Sequence, residues 1–155
     1  MNASVRIQRE AFDVAAEIAA LTSGRADIGA VVTFTGHCRD ENGRLTALEL
    51  EHYPGMAQAE VEQVVGQAQA RWPLQGVTAI HRFGIIAPGD AIVLVATASA
   101  HRSAAFEAAE FLMDYLKTRA PFWKREHLRD GAVGGWVEAK TEDDEAAARW
   151  ACPRR

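Results

Sequence analysis

The sequence predicts an α+β domain in which groups of strands alternate with helices. Short β-branched and aromatic runs indicate strands, and several of these runs stand side by side without a helix between them. Longer stretches with apolar residues every three or four positions indicate amphipathic helices. This order favours an α+β domain over a doubly wound parallel sheet. We expect residues 1–155 to form a single domain, since that is an ordinary domain length.

The first third of the chain predicts a strand, a helix and two further strands. Residues 5–7 indicate a short strand, and residues 13–22 have helical apolar spacing with Asp13 in position to cap the helix. The β-branched run at 29–36 predicts a buried strand. The alternating run at 45–53, which follows a polar loop, predicts its partner strand.

The middle of the chain predicts a long helix followed by a hairpin. Pro73 ends the helix, because proline has no N–H to continue it. The apolar face of this helix consists of Val61, Val64, Val65, Ala68 and Trp72. Residues 77–83 and 91–100 predict two strands, and the turn at 87–90 suits a hairpin connection between them.

The last third predicts a helix, a second hairpin and a final helix. Ser103 is a suitable N-cap for a helix that runs to about Arg119, shortly before a proline. Residues 122–128 and 135–139 predict the two strands of the second hairpin. Residues 141–144 resemble a capping box at the start of an acidic helix.

Composition restricts the class of protein and its compartment. A net charge of −4 gives no overall basic field, so we expect no nucleic-acid partner. Cys38 and Cys152 have no CxxC partner, which argues against a disulfide framework and favours a cytoplasmic protein. The charged N-terminus is unlike a signal peptide, and no apolar run is long enough to cross a bilayer, so we expect no membrane association.

The most informative stretch is residues 114–126, where cations crowd around a helix end broken by proline. The cations are Lys117, Arg119, Lys124 and Arg125. A structural interpretation is compensation of the helix dipole on a solvated face. Lys117, however, lies on the same helix line as Phe106, Glu110 and Met113, which is not an obviously free face. A lysine partly withdrawn from water there could transfer protons or attack a carbonyl carbon.

A second cationic spot is the junction of a strand and a helix at His101 and Arg102. Side chains at such a junction lie near the free N–H groups of the helix N-terminus, which form a natural anion site. The structural interpretation is a satisfied histidine beside a surface arginine. For this pair taken alone, the structural interpretation is the simpler one.

A third spot follows the buried strand and comprises His37, Cys38 and Arg39. Arg39 could bind a phosphate or carboxylate through two N–H groups, or it could form a surface ion pair with Asp40 or Glu41. Cys38 is more simply a small, partly buried thiol than a nucleophile. His37 and Cys38 lack a second ligand pair at metal spacing, which excludes a zinc site from our expectations.

The sequence contains no P-loop, no GxGxxG fingerprint and no GxSxG elbow. We therefore predict neither a metal nor a cofactor. His52, His81 and His127 are scattered along the chain, and a structural role is the default interpretation for all three. The three cationic spots together suggest an enzyme that acts on an anionic substrate.

Over nearly its full length the chain resembles the large subunit of molybdopterin synthase. The matching stretches occur in order and are GAVVTFTGHCRD, LEHYPGM, RWPL, IHRFG, PGD, SAHRSAAFEA, MDYLKTRAPFWKRE and WVEAK. The run at 99–126 is specific enough to identify the family without the others.

The resemblance implies an α/β-hammerhead fold with an additional antiparallel β subdomain. It also implies a homodimer in which each subunit binds one small ubiquitin-like sulfur carrier, giving a heterotetramer. The carrier ends in Gly-Gly and bears a C-terminal thiocarboxylate, which inserts into a pocket of the large subunit. The family adds two sulfurs to cyclic pyranopterin monophosphate (precursor Z) and forms the dithiolene of molybdopterin. Because this chain ends in Arg154-Arg155, we expect it to be the subunit that receives the tail.

The resemblance also implies which residues carry the reaction. Lys117 and Lys124 match the two active-site lysines. We expect Lys117 to act as general acid and base beside the thiocarboxylate, and Lys124 to orient substrate or share the proton transfers. The predicted substrate-binding residues are His37, Cys38, Arg39, His101, Arg102, Lys117, Lys124, Arg125 and Glu126.

Two other interpretations remain open at this point. The chain could be a non-catalytic module that keeps the pocket for the carrier tail, although such a module has no need of the full set of cations. It could also be a structural dimer whose cations serve solubility, in which case no phosphate or sulfate should bind at the His101–Arg102 junction.

Overall fold

A computed structural model describes residues 2–119, 121–137, 145 and 147–151. The strands are β1 (Asn2–Gln8), β2 (Ala30–His37), β3 (Leu45–His52), β4 (Leu74–Arg82), β5 (Gly84–Ile86), β6 (Ala91–Ser99) and β7 (Phe122–Leu128). The helices are α1 (Val14–Thr22), α2 (Met56–Arg71) and α3 (Arg102–Thr118), and a short 3-10 turn lies at Arg149–Ala151. No helix among the described residues is long and apolar enough to cross a membrane.

The strands form two sheets, which confirms the predicted α+β class. The larger sheet has the order β1-β4-β6-β2, with β1 parallel to β4 and the other pairs antiparallel. The smaller sheet has the order β5-β3-β7 and is antiparallel throughout. It corresponds to the additional β subdomain that the resemblance implied.

The main core lies between the larger sheet and the helices α2 and α3. The predicted apolar face of α2 is confirmed, since Val61, Val64, Val65, Ala68 and Trp72 are all buried. Phe111 and Leu112 of α3 are also buried, and Phe111 packs edge-on against Trp72 with ring centroids 5.2 Å apart. This packing fixes α3 across the sheet, and it therefore fixes where the C-terminal end of α3 lies.

The predicted pairing of the second and third strands is wrong. β2 pairs with β6 in the larger sheet, whereas β3 pairs with β5 and β7 in the smaller one. The loop between them contains three consecutive residues with left-handed backbone, Glu41, Asn42 and Gly43, with φ of 53°, 61° and 81°. This turn redirects the chain from one sheet into the other instead of folding it back as a hairpin.

The hairpin of β4 and β6 is confirmed, and it contains an unpredicted element. Residues Gly84–Ile86 form the short strand β5, which leaves the larger sheet and pairs with β3. Gly84 has φ of 92°, a conformation that suits glycine, and a Cβ there would lie 3.0 Å from Nη1 of Arg9. The bend at Gly84 therefore allows one hairpin to contribute to both sheets.

One helix cap was predicted correctly and one was not. Oδ1 of Asp13 accepts a hydrogen bond from the N–H of Ala16 at 3.1 Å, so the cap of α1 is confirmed. Ser103 is not the N-cap of α3, because the helix begins at Arg102, three residues after Ser99 ends β6, and His101 occupies the cap position without a side-chain bond. The Ser103 hydroxyl lies 3.2 Å from Glu107 instead.

The predicted second hairpin forms only in part. β7 pairs along its length with β3, and within residues 121–137 its β-ladder pairing with the following segment is limited to two isolated bridges, Lys124 to Val137 and His127 to Val133. The end of the predicted strand at 138–139 and the capping box at 141–144 lie outside the described residues, as does Cys152.

Candidate active site

A cavity of about 390 Å³ lies where the two sheets meet the C-terminal end of α3. Its floor is apolar and includes Leu48, Leu50 and Leu116, while its polar rim comes from the end of β2, the following loop, α3 and β7. Of the predicted site residues, the cavity brings together His37, Cys38, Arg39, Lys117, Lys124 and Glu126.

Two lysines reach this cavity from different elements. Lys117 lies in the last turn of α3, where the helix dipole favours a cation, and Lys124 lies on β7 opposite Leu50 of β3. We expected Lys117 to be partly withdrawn from water. This is wrong for the single chain, in which Lys117 is exposed, because it borders the rim of the cavity and does not pack in the core.

Arg39 and His37 lie at the mouth of the cavity, directly after β2. The Arg39 side chain is 82% exposed, and its guanidinium lies 3.7 Å from the Glu41 carboxylate. Such an exposed pair contributes little to stability and can open when an anion arrives. The ring of His37 lies 3.1 Å from the hydroxyl of Thr35 and 3.4 Å from the carbonyl oxygen of Gly89, so it is held against the surface.

Cys38 is buried beneath this mouth, with 3% of its surface exposed. Burial raises the pKa of its thiol, and the negative charge of Asp90 raises it further. The thiol therefore stays protonated at neutral pH and is a poor nucleophile. The geometry supports the interpretation of Cys38 as a small buried side chain that shapes the wall of the cavity.

Alternation along β7 separates the two residues that follow Lys124. Glu126 lines the cavity, and its carboxylate accepts a 2.6 Å hydrogen bond from Arg44. Arg125 points to the other face of the strand, where it binds Glu49 at 2.8 Å. His127 lies on that same outer face, 2.9 Å from Glu49. These two bonds lower the pKa of Glu49, which marks a structural cluster outside the cavity.

His101 and Arg102 do not line the cavity of the same chain. They lie at the N-terminal end of α3, fifteen residues before Lys117, a distance of about 22 Å along the helix axis. Both residues are exposed. The structure therefore brings six of the nine predicted site residues to one place and leaves Arg125, His101 and Arg102 outside it.

Known proteins share most of this sequence. Residues 7–119, which include Lys117 and most of the cavity wall, match the family described as MoaE protein. The chain belongs to the MoaE family. A relative from Mesorhizobium japonicum, named molybdopterin synthase catalytic subunit, is 71% identical over 95% of this chain and 92% of its own length. A relative of the same name from Yersinia pestis is 52% identical over 96% of this chain and 98% of its own.

Solved structures agree with this family assignment. The MoaE protein from Burkholderia ambifaria superimposes with a TM-score of 0.83 at 47% identity, covering 97% of this chain and 99% of that one. The structure described as molybdopterin synthase from Staphylococcus aureus gives 0.75 at 31% identity, covering 84% and 94%. The fold of this MoaE chain, including its second sheet, is therefore the fold of its family.

The cavity of this MoaE chain also contains residues that the sequence did not single out. Phe34, Met113 and His81 line it, and Phe34 is 40% exposed at its edge. Phe34 stands two residues before Gly36 on β2, so strand alternation from the predicted loop could have placed it on the cavity side. No pattern marked His81, because a histidine within an apolar strand usually serves the core.

This arrangement suits a small anionic ring system. An apolar floor accommodates a flat heterocycle, and the cations Arg39, Lys117 and Lys124 at the rim supply fixed positive charge for an anionic group. Lysine donors at the rim of the cavity can also exchange protons with a group that reacts between them.

Proposed function

We propose that this MoaE-family chain is the catalytic subunit of molybdopterin synthase and works as a sulfurtransferase. The observation that carries the proposal is the convergence of Lys117 and Lys124 on one cavity with an apolar floor. The sulfur donor is the C-terminal thiocarboxylate of a small ubiquitin-like carrier. The acceptor is cyclic pyranopterin monophosphate, which becomes the dithiolene of molybdopterin. The Mesorhizobium japonicum relative, which is 71% identical, carries the name of this subunit.

The proposed chemistry assigns proton transfers to the lysines. The thiocarboxylate sulfur bonds to a carbon of the substrate while a C–O bond of that carbon breaks and the departing oxygen takes up a proton. Water then adds to the carrier's carbonyl carbon and the C–S bond to that carbon breaks, which leaves the sulfur on the product and releases the carrier as a carboxylate. Lys117 donates and accepts the protons of these steps. Lys124 orients the substrate from the facing strand, and Arg39 with His37 binds its anionic group at the mouth.

We expect the carrier tail to enter the cavity because its last residues have no side chains. The exposed ring of Phe34 and the end of α3 both line this cavity, and a C-terminal Gly-Gly would pass beside them. We expect this reaction in the cytoplasm, where reducing conditions preserve both a thiocarboxylate and the free thiol of Cys38.

The distance between the two ends of α3 supports a homodimer. His101 and Arg102 are too far from Lys117 to reach the same substrate within one chain. In a twofold dimer each subunit presents the same surface to its partner, so the N-terminal end of α3 from one copy can complete the cavity of the other. With one carrier bound to each copy, the assembly is a heterotetramer.

Replacement of Lys117 tests the proposed function. We expect Lys117→Ala to reduce dithiolene formation from thiocarboxylated carrier and precursor Z by about 100-fold or more, because a general acid and base is lost. The measurement is product formed per minute by the purified chain.

Arg119→Ala is the matched control. It removes a cation two residues along the same helix end, where Arg119 contacts Gln67 and the ring of Tyr115 outside the cavity. We expect it to retain turnover. Near wild-type activity of Lys117→Ala would contradict the assignment, and carrier binding without any turnover of the wild-type chain would favour the non-catalytic module.

A further inference from the structure

His81 is a cavity residue that the proposed chemistry leaves without a role. It lies on β4 and lines the same cavity as Lys117 and Lys124. Its ring stacks on Phe122 of β7 with the centroids 3.8 Å apart and an angle of 14° between the planes. Phe122 stands two residues before Lys124 on the same face of the strand, so the ring is fixed beside the lysine-bearing wall.

The hydrogen bonds of the ring determine its tautomer. Nδ1 of His81 lies 2.8 Å from the carbonyl oxygen of Arg82, and a carbonyl oxygen can only accept, so Nδ1 carries the proton. Burial is the main cause that lowers the pKa of His81 to about 4, the nearby charges of Lys117 and His52 act in the same direction, and the hydrogen bond to Arg82 opposes them. The ring is therefore uncharged at neutral pH, and Nε2 presents a lone pair.

This lone pair is unusual among the polar groups of the cavity. Arg39, Lys117 and Lys124 offer only donors, while the carboxylates of Glu41 and Glu126 pair with Arg39 and Arg44 respectively. Within the described part of the chain, the bond to Arg82 is the only hydrogen bond of the His81 ring. Nε2 is thus an uncharged acceptor that remains available beside two lysines.

We propose that His81 is a positioning residue whose Nε2 accepts a hydrogen bond from the Lys117 ammonium once the carrier tail and substrate fill the cavity. The bond would hold Nζ of Lys117 towards the reacting carbonyl carbon. A carboxylate in this place would pair with the ammonium and cancel its charge, whereas a neutral imidazole orients the lysine and leaves the charge for the substrate. This inference rests on the proposed function of the chain.

Three substitutions of His81 separate the acceptor from the rest of the ring. The amide of glutamine reaches the place of Nε2, the amide of asparagine reaches only the place of Nδ1, and phenylalanine keeps the ring stack without nitrogen. We expect His81→Asn and His81→Phe to lower kcat by about 10- to 100-fold, the effect of a misplaced catalytic group, with KM for the carrier nearly unchanged. His81→Gln should restore a substantial part of kcat.

The Lys117→Ala background and a mobility measurement distinguish positioning from a structural role. If His81 acts through Lys117, His81→Asn should cause no further loss when Lys117 is already alanine. In the carrier complex, ¹³C relaxation at Cε of Lys117 should show greater mobility in His81→Phe than in the wild type. His52→Asn is the control, since it disturbs the same ring cluster, 6.0 Å from Phe122, from outside the cavity.

Several results would overturn the inference. One is an equal loss of kcat in His81→Gln and His81→Asn. Another is a loss of kcat on adding His81→Asn to Lys117→Ala that is as large as its loss in the wild type. The third is unchanged mobility of the Lys117 side chain in His81→Phe. If His81→Asn lacks a thermal unfolding transition and is therefore not folded, the comparison of kcat between His81→Phe and His81→Gln tests the inference instead. Turnover that depends on Lys117 but not on His81 would refute only this inference, whereas turnover that is independent of Lys117 would refute the proposed function.

Discussion

At the scale of single residues, burial decides the charge state of the groups around the cavity. It raises the pKa of the Cys38 thiol and lowers the pKa of the His81 and His52 rings. In each case the neutral form is favoured, because a charged group loses hydration when it is buried. The fixed charge of the cavity is therefore left to the residues at its exposed rim, such as Arg39 and Lys117.

The low pKa of His81 predicts how stability depends on pH. In the unfolded chain a histidine takes up a proton near pH 6.5, whereas folded His81 does so only near pH 4. Between these values the unfolded state binds the extra proton, so the free energy of unfolding falls as the pH falls. Above this window His81 contributes no pH dependence.

We expect urea titrations to show this difference between wild type and His81→Gln. On going from about pH 7 to about pH 5, the wild type should lose about 2 kcal/mol more of its free energy of unfolding than the variant does. His52 acts in the same direction in both proteins and cancels in the comparison. The pKa of Glu49 is lowered from 4.5, so that group acts only at more acidic pH. An identical pH dependence of the two proteins would contradict the uncharged state of the half-buried His81.

At the scale of elements, β7 separates two neighbouring cations by pointing them to opposite faces. Lys124 enters the cavity, while Arg125 binds Glu49 and stacks on Trp136 at 4.4 Å on the outer face. The sequence grouped the two residues because they are adjacent. Which face of a strand meets the cavity depends on the strand it pairs with. Glu49, the partner of Arg125, lies on such a strand and is 76 residues away in the sequence.

This separation predicts unequal effects of two neighbouring substitutions. We expect Lys124→Ala to reduce turnover by about 10-fold or more, since it removes a cation that lines the cavity and that we propose acts at the substrate. Arg125→Ala should change turnover much less and instead lower the free energy of unfolding by about 1–3 kcal/mol, because Glu49 loses a charged partner. Steady-state kinetics and urea unfolding of both variants provide the comparison. A larger loss of turnover in Arg125→Ala would show that Arg125 contacts the substrate.

Local signals predicted most of the elements themselves. The apolar face of α2, the cap at Asp13 and the hairpin of β4 and β6 depend on spacing and turn chemistry within a few residues. The partners of β2 and β3 were not predictable in this way. Their pairing depends on the left-handed turn at 41–43 and on β5, whose three residues are too few to show a period.

At the scale of the whole molecule, the candidate site lies where the two sheets and α3 come together. Residues from β2, β4, β7 and α3 meet there, although 83 positions separate Phe34 from Lys117. The residue types and the resemblance predicted six of the cavity residues. They did not predict that His101 and Arg102 lie at the opposite end of α3 from Lys117. A sequence motif indicates which residues belong to a site, but it does not indicate how far apart they lie within one chain.

A site completed by a second copy predicts that two inactive variants can complement each other. We expect Lys117→Ala and Arg102→Ala to be strongly impaired as separate dimers. When both chains are co-expressed in equal amounts, half of the dimers are mixed, and each mixed dimer has one intact site of two. Turnover should then reach about a quarter of the wild-type value. Activity equal to the mean of the two variants would show that each site is built within one chain.

The most direct measurement locates the end of the carrier tail on this chain. A carrier whose last glycine ends in an aldehyde forms an imine with a nearby lysine amine, releasing water, and cyanoborohydride reduces the imine to a stable secondary amine. Mass spectrometry of the digested product then identifies the lysine. We expect the modification at Lys117 or Lys124, the two lysines of the cavity. Modification at Lys140 or at the N-terminus, or none under conditions where the carrier binds, would contradict this cavity as the site of sulfur transfer.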